Sequence, residues 1–378
     1  MQKNNILITG GAGFIGSHLA LRLTDIGYNV TVLDNLSPQI HVNQESSFLF
    51  QSIKSKVNFI QGDVRDKSIW NKVIRDQHII IHLAAETGTG QSMYEIEKYV
   101  DVNCHGTAIM LDYLANNDTK VEKVIVASSR AVYGEGKYRC EVHDSVYPLA
   151  RRQHDMLDGL FECRCPICDK EVSALPTDEK AELHPSSIYG ITKLTQEQLV
   201  LTACKSMGIS GIAFRFQNVY GPGQSLQNPY TGILSIFSSL INNNRNINIY
   251  EDGKESRDFI YISDVIESLL LGAEYDGKVN ECFNVGSGIP INVGEVAQTL
   301  LTKYKSDSKV AISGNFRLGD IRHNYSDNSK VKKVLKFRSK VVFEEGIARF
   351  AEWVKSQKND ITEYDRAHAE MESRGILK

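Results

Sequence analysis

Tyr189 and Lys193, four residues apart in the segment YGITK, are the residues whose types and spacing first suggest chemistry. On a helix, residues i and i+4 lie on the same face, so the two side chains would point the same way. A neighbouring ammonium group lowers the pKa of a tyrosine, which could then remove the proton of a hydroxyl group. Such pairs are also common on exposed helix faces, so the meaning of this one depends on the elements around it.

Two serines precede this pair in the chain. Ser128 and Ser129 end the apolar run KVIVASS, and either hydroxyl could hydrogen-bond the substrate oxygen that Tyr189 deprotonates. Loss of a hydride from the same carbon would give a ketone. Return of the hydride to the opposite face would invert that carbon, whereas release of the reduced cofactor would make the protein a net dehydrogenase.

A glycine-rich turn indicates a dinucleotide cofactor for that hydride. The segment TGGAGFIG places Gly10, Gly13 and Gly16 between a predicted strand and a predicted helix, and Asp34 ends the next strand. Glycines so placed let a pyrophosphate approach the helix N-terminus, where amide dipoles favour anions. Asp34 can accept hydrogen bonds from the adenosine ribose and would repel a 2′-phosphate, which favours NAD over NADP. The alternative is an ordinary strand–turn–helix with a capping aspartate.

Further candidates stand at the ends of two other apolar runs. Asp63 in GDVRD could meet the adenine amino group, although an aspartate there is more often a turn former. The small residues of HLAAE could pass close to a cofactor or could allow close helix packing. His82 in this run is interpreted as a core histidine rather than a metal ligand.

The elements that must position these residues follow one pattern. The runs NNILIT, NVTVLD, VNFIQGD, HIIIHLAA, KVIVASS and SGIAFRFQN alternate with longer amphipathic stretches. Strands that are apolar on both faces are typical of a parallel sheet covered by helices, which predicts a doubly wound α/β fold. From about Tyr220 the pattern becomes irregular. We therefore predict a dinucleotide domain over 1–218 and a smaller substrate lobe over 219–378. Within the second segment, the chain is predicted to cross back once to the dinucleotide domain. The ending DRAHAEMESRGILK is predicted to be a charged helical tail without assigned chemistry.

Composition excludes several classes of partner. The chain has 378 residues, 42% of them hydrophobic, a formal net charge of −3 and a pI near 6.4. This balance argues against nucleic acid or a membrane surface as the main partner, and the apolar runs are strand-sized. Seven cysteines without an export signal predict reduced thiols and a cytoplasmic location.

Four of those cysteines fall in an unusual segment, about 137–183, that separates Ser129 from Tyr189. Cys140 and His143 form a C-x2-H pair, and Cys165 and Cys168 form a C-x2-C pair. The spacing predicts a structural zinc site, since the segment has too few apolar residues for a core of its own. Cys163 could replace one ligand. The alternative is a solvated loop with free thiols; a catalytic zinc is disfavoured because four protein ligands leave no open position.

Several spaced motifs connect these candidates. They are TGGAGFIG, LDNLS, GDVRD, HLAA, SSRAVYG, YGITK, RFQNVYGP, RDFIYISD, NVGSG and RLGDIRH. In this order they resemble the NAD-dependent sugar-nucleotide epimerase/dehydratase family of extended short-chain dehydrogenases/reductases, over nearly the whole chain. The resemblance implies a Rossmann-type fold, tightly bound NAD, a sugar-nucleotide substrate and a homodimer.

The resemblance also implies roles for individual residues. Ser129 is favoured over Ser128 as the catalytic partner of Tyr189 and Lys193. The residues implied to hold NAD are Gly10, Gly13, Phe14, Ile15, Gly16, Asp34, Asn35, Asp63, Val64, Leu83, Ala84, Ala85, Tyr189, Lys193 and Phe216. Those implied to meet the nucleoside diphosphate are Asn218, Arg257, Arg317 and Asp320.

Departures from related branches narrow the reaction. The 4,6-dehydratases carry Asp-Glu directly after the catalytic Ser or Thr, and the sugar-acid decarboxylases usually carry Glu there. This chain has Arg130 and Ala131, so the resemblance favours a C4 epimerase. A net dehydrogenase or reductase of a 4-keto-6-deoxy sugar nucleotide and a non-catalytic NAD-binding scaffold remain alternatives.

Two loops resemble one branch more closely, the dTDP-L-rhamnose 4-epimerases. They are LDNLSPQIH and AAETGTGQSMYEIEKYVDVN. This resemblance implies a dTDP-hexose substrate whose sugar Thr87, Gln91 and Ser92 would reach. A UDP-hexose 4-epimerase is the alternative within the class.

Overall fold

The computed structural model describes residues 5–41, 47–226, 228, 230, 232–357 and 362–378. The strands are β1 (Asn5–Thr9), β2 (Asn29–Asp34), β3 (Asn58–Gln61), β4 (Ile79–His82), β5 (Lys123–Ser129), β6 (Tyr138–Cys140), β7 (Asp144–Val146), β8 (Ser173–Ala174), β9 (Ser210–Phe216), β10 (Asn218–Tyr220), β11 (Ile247–Ile249), β12 (Ser256–Tyr261), β13 (Asn280–Val285), β14 (Pro290–Asn292), β15 (Val310–Ile312) and β16 (His323–Asn324). The helices are α1 (Phe14–Asp25), α2 (Phe48–Ile53), α3 (Lys67–Val73), α4 (Thr89–Ser92), α5 (Ile96–Tyr99), α6 (Gly106–Asn116), α7 (Gln153–Leu157), α8 (Ile188–Met207), α9 (Ile233–Asn242), α10 (Ile262–Glu274), α11 (Val293–Tyr304), α12 (Ser329–Val334), α13 (Phe343–Lys355) and α14 (Thr362–Ser373).

A parallel sheet in the order β13-β9-β5-β4-β1-β2-β3 forms the centre of the fold. Along β1, Ile6 and Ile8 pack into one hydrophobic cluster, whereas Leu7 packs into another. Successive side chains of a strand point to opposite faces, so the sheet has a helical layer on each side. The predicted doubly wound α/β fold is confirmed.

The second half of the chain is divided between the lobe and the large sheet. The lobe contains a sheet in the order β10-β12-β14, with β16 paired to β12, and a separate β11-β15 pair. In contrast, β13 pairs with β9 in register Cys282 to Ala213, and α10 packs against α1. The segment 219–378 therefore contributes one edge strand to the dinucleotide domain.

The segment between β5 and α8 folds as a small separate layer. Its sheet has the order β7-β6-β8, and its apolar cluster includes Tyr138, Val146 and Val172 together with cysteines. So small a cluster supplies little hydrophobic stabilisation, which is why the polar contacts of this insertion matter for its fold.

Helix α8 brings the YGITK segment to the carboxyl edge of the sheet. Ser187 caps its N-terminus by accepting a hydrogen bond from the backbone N–H of Gly190, and Gly208 ends it in the left-handed conformation. Within the described residues, none of the helices combines the length and the apolar composition that crossing a membrane requires.

Candidate active site

A cleft of about 500 Å³ lies at the carboxyl ends of the strands of the large sheet. Ligands of open α/β sheets bind at this edge, outside the ends of the strands. The structure brings all the residues implied to hold NAD to the walls of this one cleft. They are Gly10, Gly13, Phe14, Ile15, Gly16, Asp34, Asn35, Asp63, Val64, Leu83, Ala84, Ala85, Tyr189, Lys193 and Phe216.

The glycine turn fits a dinucleotide because it leaves the backbone uncovered. Gly10 has φ +67°, and a Cβ there would lie 2.7 Å from the backbone N of Ala84. A Cβ on Gly16 would lie 2.4 Å from the carbonyl oxygen of Gly10, so only glycine allows the first turn of α1 to pack against the loop. The loop therefore presents backbone amides to the cleft, as a pyrophosphate requires.

Two acidic residues of the cleft, Asp34 and Asp63, have different surroundings. Asp34 accepts hydrogen bonds from the backbone N–H groups of Ala12 and Leu36, at 2.9 and 2.8 Å, which fixes the carboxylate at the end of β2. Asp63 accepts hydrogen bonds from Arg65 and Asn35, and the Arg65 side chain lowers the pKa of Asp63 to about 2. Asp63 is therefore an ionised hydrogen-bond acceptor in the wall of the cleft.

Tyr189, Ser129 and Lys193 all line this cleft. Ser129 lies beside the Tyr189 hydroxyl; burial raises the pKa of Tyr189, while Ser129 and the charge of Arg130 lower it in part. Burial lowers the pKa of Lys193 to about 7, and its ammonium donates to the side-chain oxygen of Gln196 at 2.7 Å. A lysine so poised can be charged or neutral near neutral pH, which suits a group that assists proton transfer.

The structure also distinguishes the two serines. The Ser128 hydroxyl donates to Glu197 at 2.6 Å, and Glu197 in turn forms a buried ion pair with Arg215. Ser128 is thus bound within the interior, whereas Ser129 faces Tyr189. The geometry supports Ser129 as the side chain that would hold the substrate oxygen.

A second cavity of about 220 Å³ joins this cleft at Arg130 and Asn218. Its walls include Arg257, Arg317 and Asp320, so the structure gathers the side chains predicted to meet the nucleoside diphosphate. Arg317 forms an ion pair with Asp320 at 2.9 Å. The second cavity is lined by more cationic groups than the first.

Arg130 is the residue of this site that the sequence analysis missed. Its Nε donates to the Asn218 side-chain oxygen at 2.7 Å, while its Nη1 is buried without a hydrogen-bond partner. Burial, together with the like charge of Arg257, lowers the pKa of Arg130 to about 9.

Arg257 itself donates to two backbone carbonyls, and neither arginine has a carboxylate partner within 4.0 Å among the described residues. Two unpaired cations facing one cavity fit an anionic ligand. The one signal in the sequence was the position of Arg130 directly after Ser129.

Glu255 is a further residue of the second cavity that was not predicted. Its Oε2 atom is buried and lacks a hydrogen-bond partner, although Arg322 lies 3.7 Å away. Burial raises the pKa of Glu255 to about 7, against the opposing charge of Arg257. The carboxyl is therefore about half protonated near neutral pH.

The structure does not bring two predicted sugar contacts into the cavities. Ser92 donates to the carbonyl of Thr89 and accepts from the backbone N–H of Tyr189, at 2.6 and 3.1 Å. The Gln91 side chain is buried and hydrogen-bonded to Gln39. Of the three residues implied for the hexose, only Thr87 lines the cleft, because the short helix α4 turns the other two inward.

The insertion collects its four predicted metal ligands at one point. The ligand atoms of Cys140, His143, Cys165 and Cys168 all lie within 4.8 Å of one another. The closest pairs are 3.5 to 3.7 Å apart, close to the edge of about 3.8 Å of a tetrahedron with Zn–S bonds of about 2.3 Å. Cys163 lies outside this group and donates to the Tyr138 hydroxyl at 3.4 Å.

Buried ion pairs connect the insertion to the wall of the second cavity. Arg151 donates to both carboxylate oxygens of Glu251, at 2.7 and 2.8 Å, and to the carbonyl of Asp320 at 3.0 Å. Arg322, which is fully buried, pairs with Glu251 at 2.9 Å and donates to Glu162 of the insertion at 3.0 Å. The position of Asp320 in the cavity therefore depends on the insertion.

Comparisons with known proteins agree with this geometry. Residues 6–154 and 167–286 match the model of the NAD dependent epimerase/dehydratase family. The chain is 35% identical over 357 residues to a dTDP-L-rhamnose 4-epimerase from Burkholderia thailandensis, covering 94% of this chain and 96% of that protein. It is also similar to the structure of a UDP-glucose 4-epimerase with UDP-glucose from Thermotoga maritima, with a TM-score of 0.75, 27% identity, and 97% and 99% of the two chains covered. The complex of MoeE5 with UDP-glucuronic acid and NAD gives a TM-score of 0.73 at 27% identity, with 93% and 99% covered.

Proposed function

The chain belongs to the NAD dependent epimerase/dehydratase family, and from this premise we propose that it is a 4-epimerase that interconverts dTDP-L-rhamnose and dTDP-6-deoxy-L-talose. The observation that carries the proposal is the pair Tyr189–Ser129 at the junction of a dinucleotide cleft and an arginine-lined cavity. Arg130 stands beside this pair, where a dehydratase would need an acid to protonate its leaving group.

Each catalytic residue of the chain has a separate role in the proposed reaction. NAD, when bound, supplies the acceptor and later the donor of the hydride. Ser129 holds the C4 oxygen of the sugar, and Tyr189 removes its proton as the carbon becomes a ketone. Lys193 stabilises the Tyr189 phenolate through its charge. Tyr189 then returns the proton to the same oxygen after the 4-keto sugar has presented its other face, so no net redox change occurs.

The second cavity would hold the rest of the substrate. A diphosphate placed between Arg130 and Arg257 would pair the two guanidiniums that have no carboxylate partner among the described residues. Arg317 and Asp320 would then lie beside the nucleoside. The dTDP-hexose is favoured by similarity to the Burkholderia thailandensis enzyme, and the UDP-hexose alternative by similarity to the Thermotoga maritima enzyme.

NMR spectroscopy of the purified protein tests this proposal with a panel of dTDP-, UDP- and GDP-hexoses and without added reductant. We expect inversion of dTDP-L-rhamnose at C4, with no net consumption of NAD. Turnover of a UDP-hexose but not of dTDP-L-rhamnose would contradict the substrate and leave the reaction class intact. Stoichiometric reduction of NAD would instead indicate a net dehydrogenase.

We also propose that the four ligand side chains of the insertion bind structural zinc. Their separations, and the near absence of other apolar support, favour a closed tetrahedral site. Metal analysis should find about one zinc per chain, and none in the double variant Cys165→Ser, Cys168→Ser. The variant Cys163→Ser is the matched control and should keep its zinc. Equal zinc content in the wild type and the double variant would reject the site. All seven cysteines lie in the described part of the chain and none forms a disulfide, which fits the reducing, cytoplasmic location that we propose with it.

A homodimer is the third proposal. Ile96, Val100 and Ile191 are 48%, 44% and 47% exposed, and they lie on α5, the π-helical turn that follows it, and α8, which pack side by side. Apolar side chains so exposed on adjoining helices fit burial against a second copy. Light scattering should give a dimer for the wild type and a monomer for Ile191→Glu. A monomeric wild type would contradict the proposal.

A further inference from the structure

The last residues of the chain are attached to the segment that carries Arg317. Phe316 and Lys378 exchange two backbone hydrogen bonds of 2.9 Å, and the N–H of Leu318 donates to the carbonyl of Ile376 at 3.1 Å. This short antiparallel ladder places the preceding helix, α14, against the second cavity. The helix therefore has a fixed position at its C-terminal end.

One face of α14 forms part of the cavity wall. Tyr364, Ala367 and Met371, at positions i, i+3 and i+7, line the second cavity, and Ala367 and Met371 are buried. Residues three, four and seven apart share one helix face, so a single stripe of α14 faces inward. Ala369 lies on the opposite face and is exposed.

The same helix also touches the dinucleotide domain. A Cβ on Gly90, in α4, would lie 3.3 Å from the Met371 sulfur, and the Arg374 guanidinium stands 4.4 Å from the ring centre of Tyr94. Asp365 pairs with Arg245 of the lobe at 3.2 Å. The helix therefore spans from the lobe to the loop after β4 across the outside of the cavity.

The stripe stands at the end of the cavity away from the reacting groups. Arg130 and Asn218 line both cavities and mark the end near Tyr189, whereas Tyr364, Ala367 and Met371 line only the second. Tyr250, whose ring lies 5.5 Å from the Arg317 guanidinium, shares this distal wall. A substrate with its sugar at Tyr189 and its diphosphate at Arg130 would place its base here. Aromatic and small apolar side chains are suited to contact the face of a base.

We propose that α14 is the outer wall of the nucleoside end of the substrate site and that Ala367 sets the room available to the base. The inference rests on the proposed function, because it requires a sugar nucleotide in the second cavity. It assigns a specificity-determining role to a terminal segment that no sequence motif marked.

The test compares Ala367→Trp with Ala369→Trp, the same change on opposite faces of one helix. Calorimetric titration of the NAD-loaded proteins with dTDP should show binding at least tenfold weaker for Ala367→Trp, and within about twofold of the wild type for Ala369→Trp. Bound NAD should be the same in all three proteins. The KM for the sugar nucleotide should rise with the dissociation constant of dTDP.

The outcomes separate the two proposals. Wild-type affinity for dTDP in Ala367→Trp would overturn the role of the helix. A wild-type protein that binds neither dTDP nor UDP would instead overturn the proposed substrate site. If Ala367→Trp loses its NAD and so fails to fold, Tyr364→Ala decides, since it removes a wall group without adding volume. Dissociation constants for dTDP that are equal in Tyr364→Ala and the wild type would then overturn the inference.

Discussion

The dinucleotide cleft and the second cavity adjoin at Arg130, yet they place charge in opposite ways. In the cleft the carboxyl groups at the strand ends are already engaged: Asp34 accepts from two backbone amides, and Asp63 is paired with Arg65. In the second cavity Arg130 and Arg257 have no carboxylate partner among the described residues. The cleft can thus bind a phosphate through amide dipoles at a helix N-terminus, whereas the second cavity would bind one through guanidinium groups that carry a full positive charge.

This difference in charge placement indicates what kind of ligand each region binds. Because the carboxyl groups of Asp34 and Asp63 already have partners, the cleft does not need its ligand to neutralise them. A cavity with two guanidiniums that lack a carboxylate partner among the described residues is less stable when empty, and an incoming diphosphate relieves that unfavourable charge. This contrast suits one resident cofactor and one exchanging anionic substrate.

The largest effect should come from the reacting group of the cleft. Tyr189→Phe removes the hydroxyl that exchanges the substrate proton, so kcat should fall about a thousandfold. Bound NAD should be unchanged, because the glycine turn is untouched. Tyr113→Phe, whose hydroxyl bonds Asn71 at the surface, is the control and should keep full activity. Unchanged turnover of dTDP-L-rhamnose in Tyr189→Phe would favour the scaffold alternative.

The next largest effect should come from removing Arg322, the buried cation of the ion-pair network beside the second cavity. Arg322→Met leaves the buried Glu251 and the partly exposed Glu162 without their shared partner, and the free energy of unfolding should fall by about 3–5 kcal/mol. Lys120→Met breaks an exposed ion pair with Asp76 and should change the free energy of unfolding by less than about 1 kcal/mol. Urea titration measures both. Equal effects would show that the network is no more important to stability than a surface ion pair.

Arg130→Met tests the unpaired charges directly. The KM for the sugar nucleotide should rise about a hundredfold, since a hydrogen bond to a charged group contributes about 1.5–3 kcal/mol. Loss of the cation near Tyr189 should also move the acidic limb of the kcat/KM profile to higher pH, because that charge lowers the pKa of Tyr189. Arg130→Lys should partly restore both the KM and the position of the acidic limb of the pH profile. An unchanged KM together with an unchanged pH profile would remove Arg130 from the site.

The smallest expected effect concerns Glu255 and depends on pH. Its carboxyl pKa rises from 4.5 to about 7 on folding, so ionisation penalises the folded state as the pH rises above 4.5, and the penalty is complete above 7. Glu255→Gln should therefore raise the free energy of unfolding by about 3 kcal/mol at pH 8 and by much less at pH 5. Glu251→Gln is the matched contrast and should lower stability, since Arg151 and Arg322 both pair with Glu251. A gain for Glu255→Gln that is equal at both pH values would contradict the assignment.

The cleft was largely predictable from sequence because its residues follow local rules. Apolar strand runs predicted the sheet, and the turn after β1 and the i, i+4 spacing on α8 placed Gly10 and Tyr189 at its carboxyl edge. The second cavity is built from segments far apart in the chain, such as Arg130, Glu255 and Ala367, whose meeting no local pattern records. Gln91 and Ser92 lie in the predicted loop, but the turn of α4 that directs them inward could not be predicted from the residues alone.

The return of β13 to the edge of the large sheet also limits how the protein can be divided. A fragment that ended at residue 218 would leave β9 as an open edge along its six residues paired with β13, from Gly211 to Phe216. Unpaired backbone N–H and C=O groups on an apolar edge strand are a template for aggregation. The two lobes should therefore be made, stored and engineered only as one continuous chain.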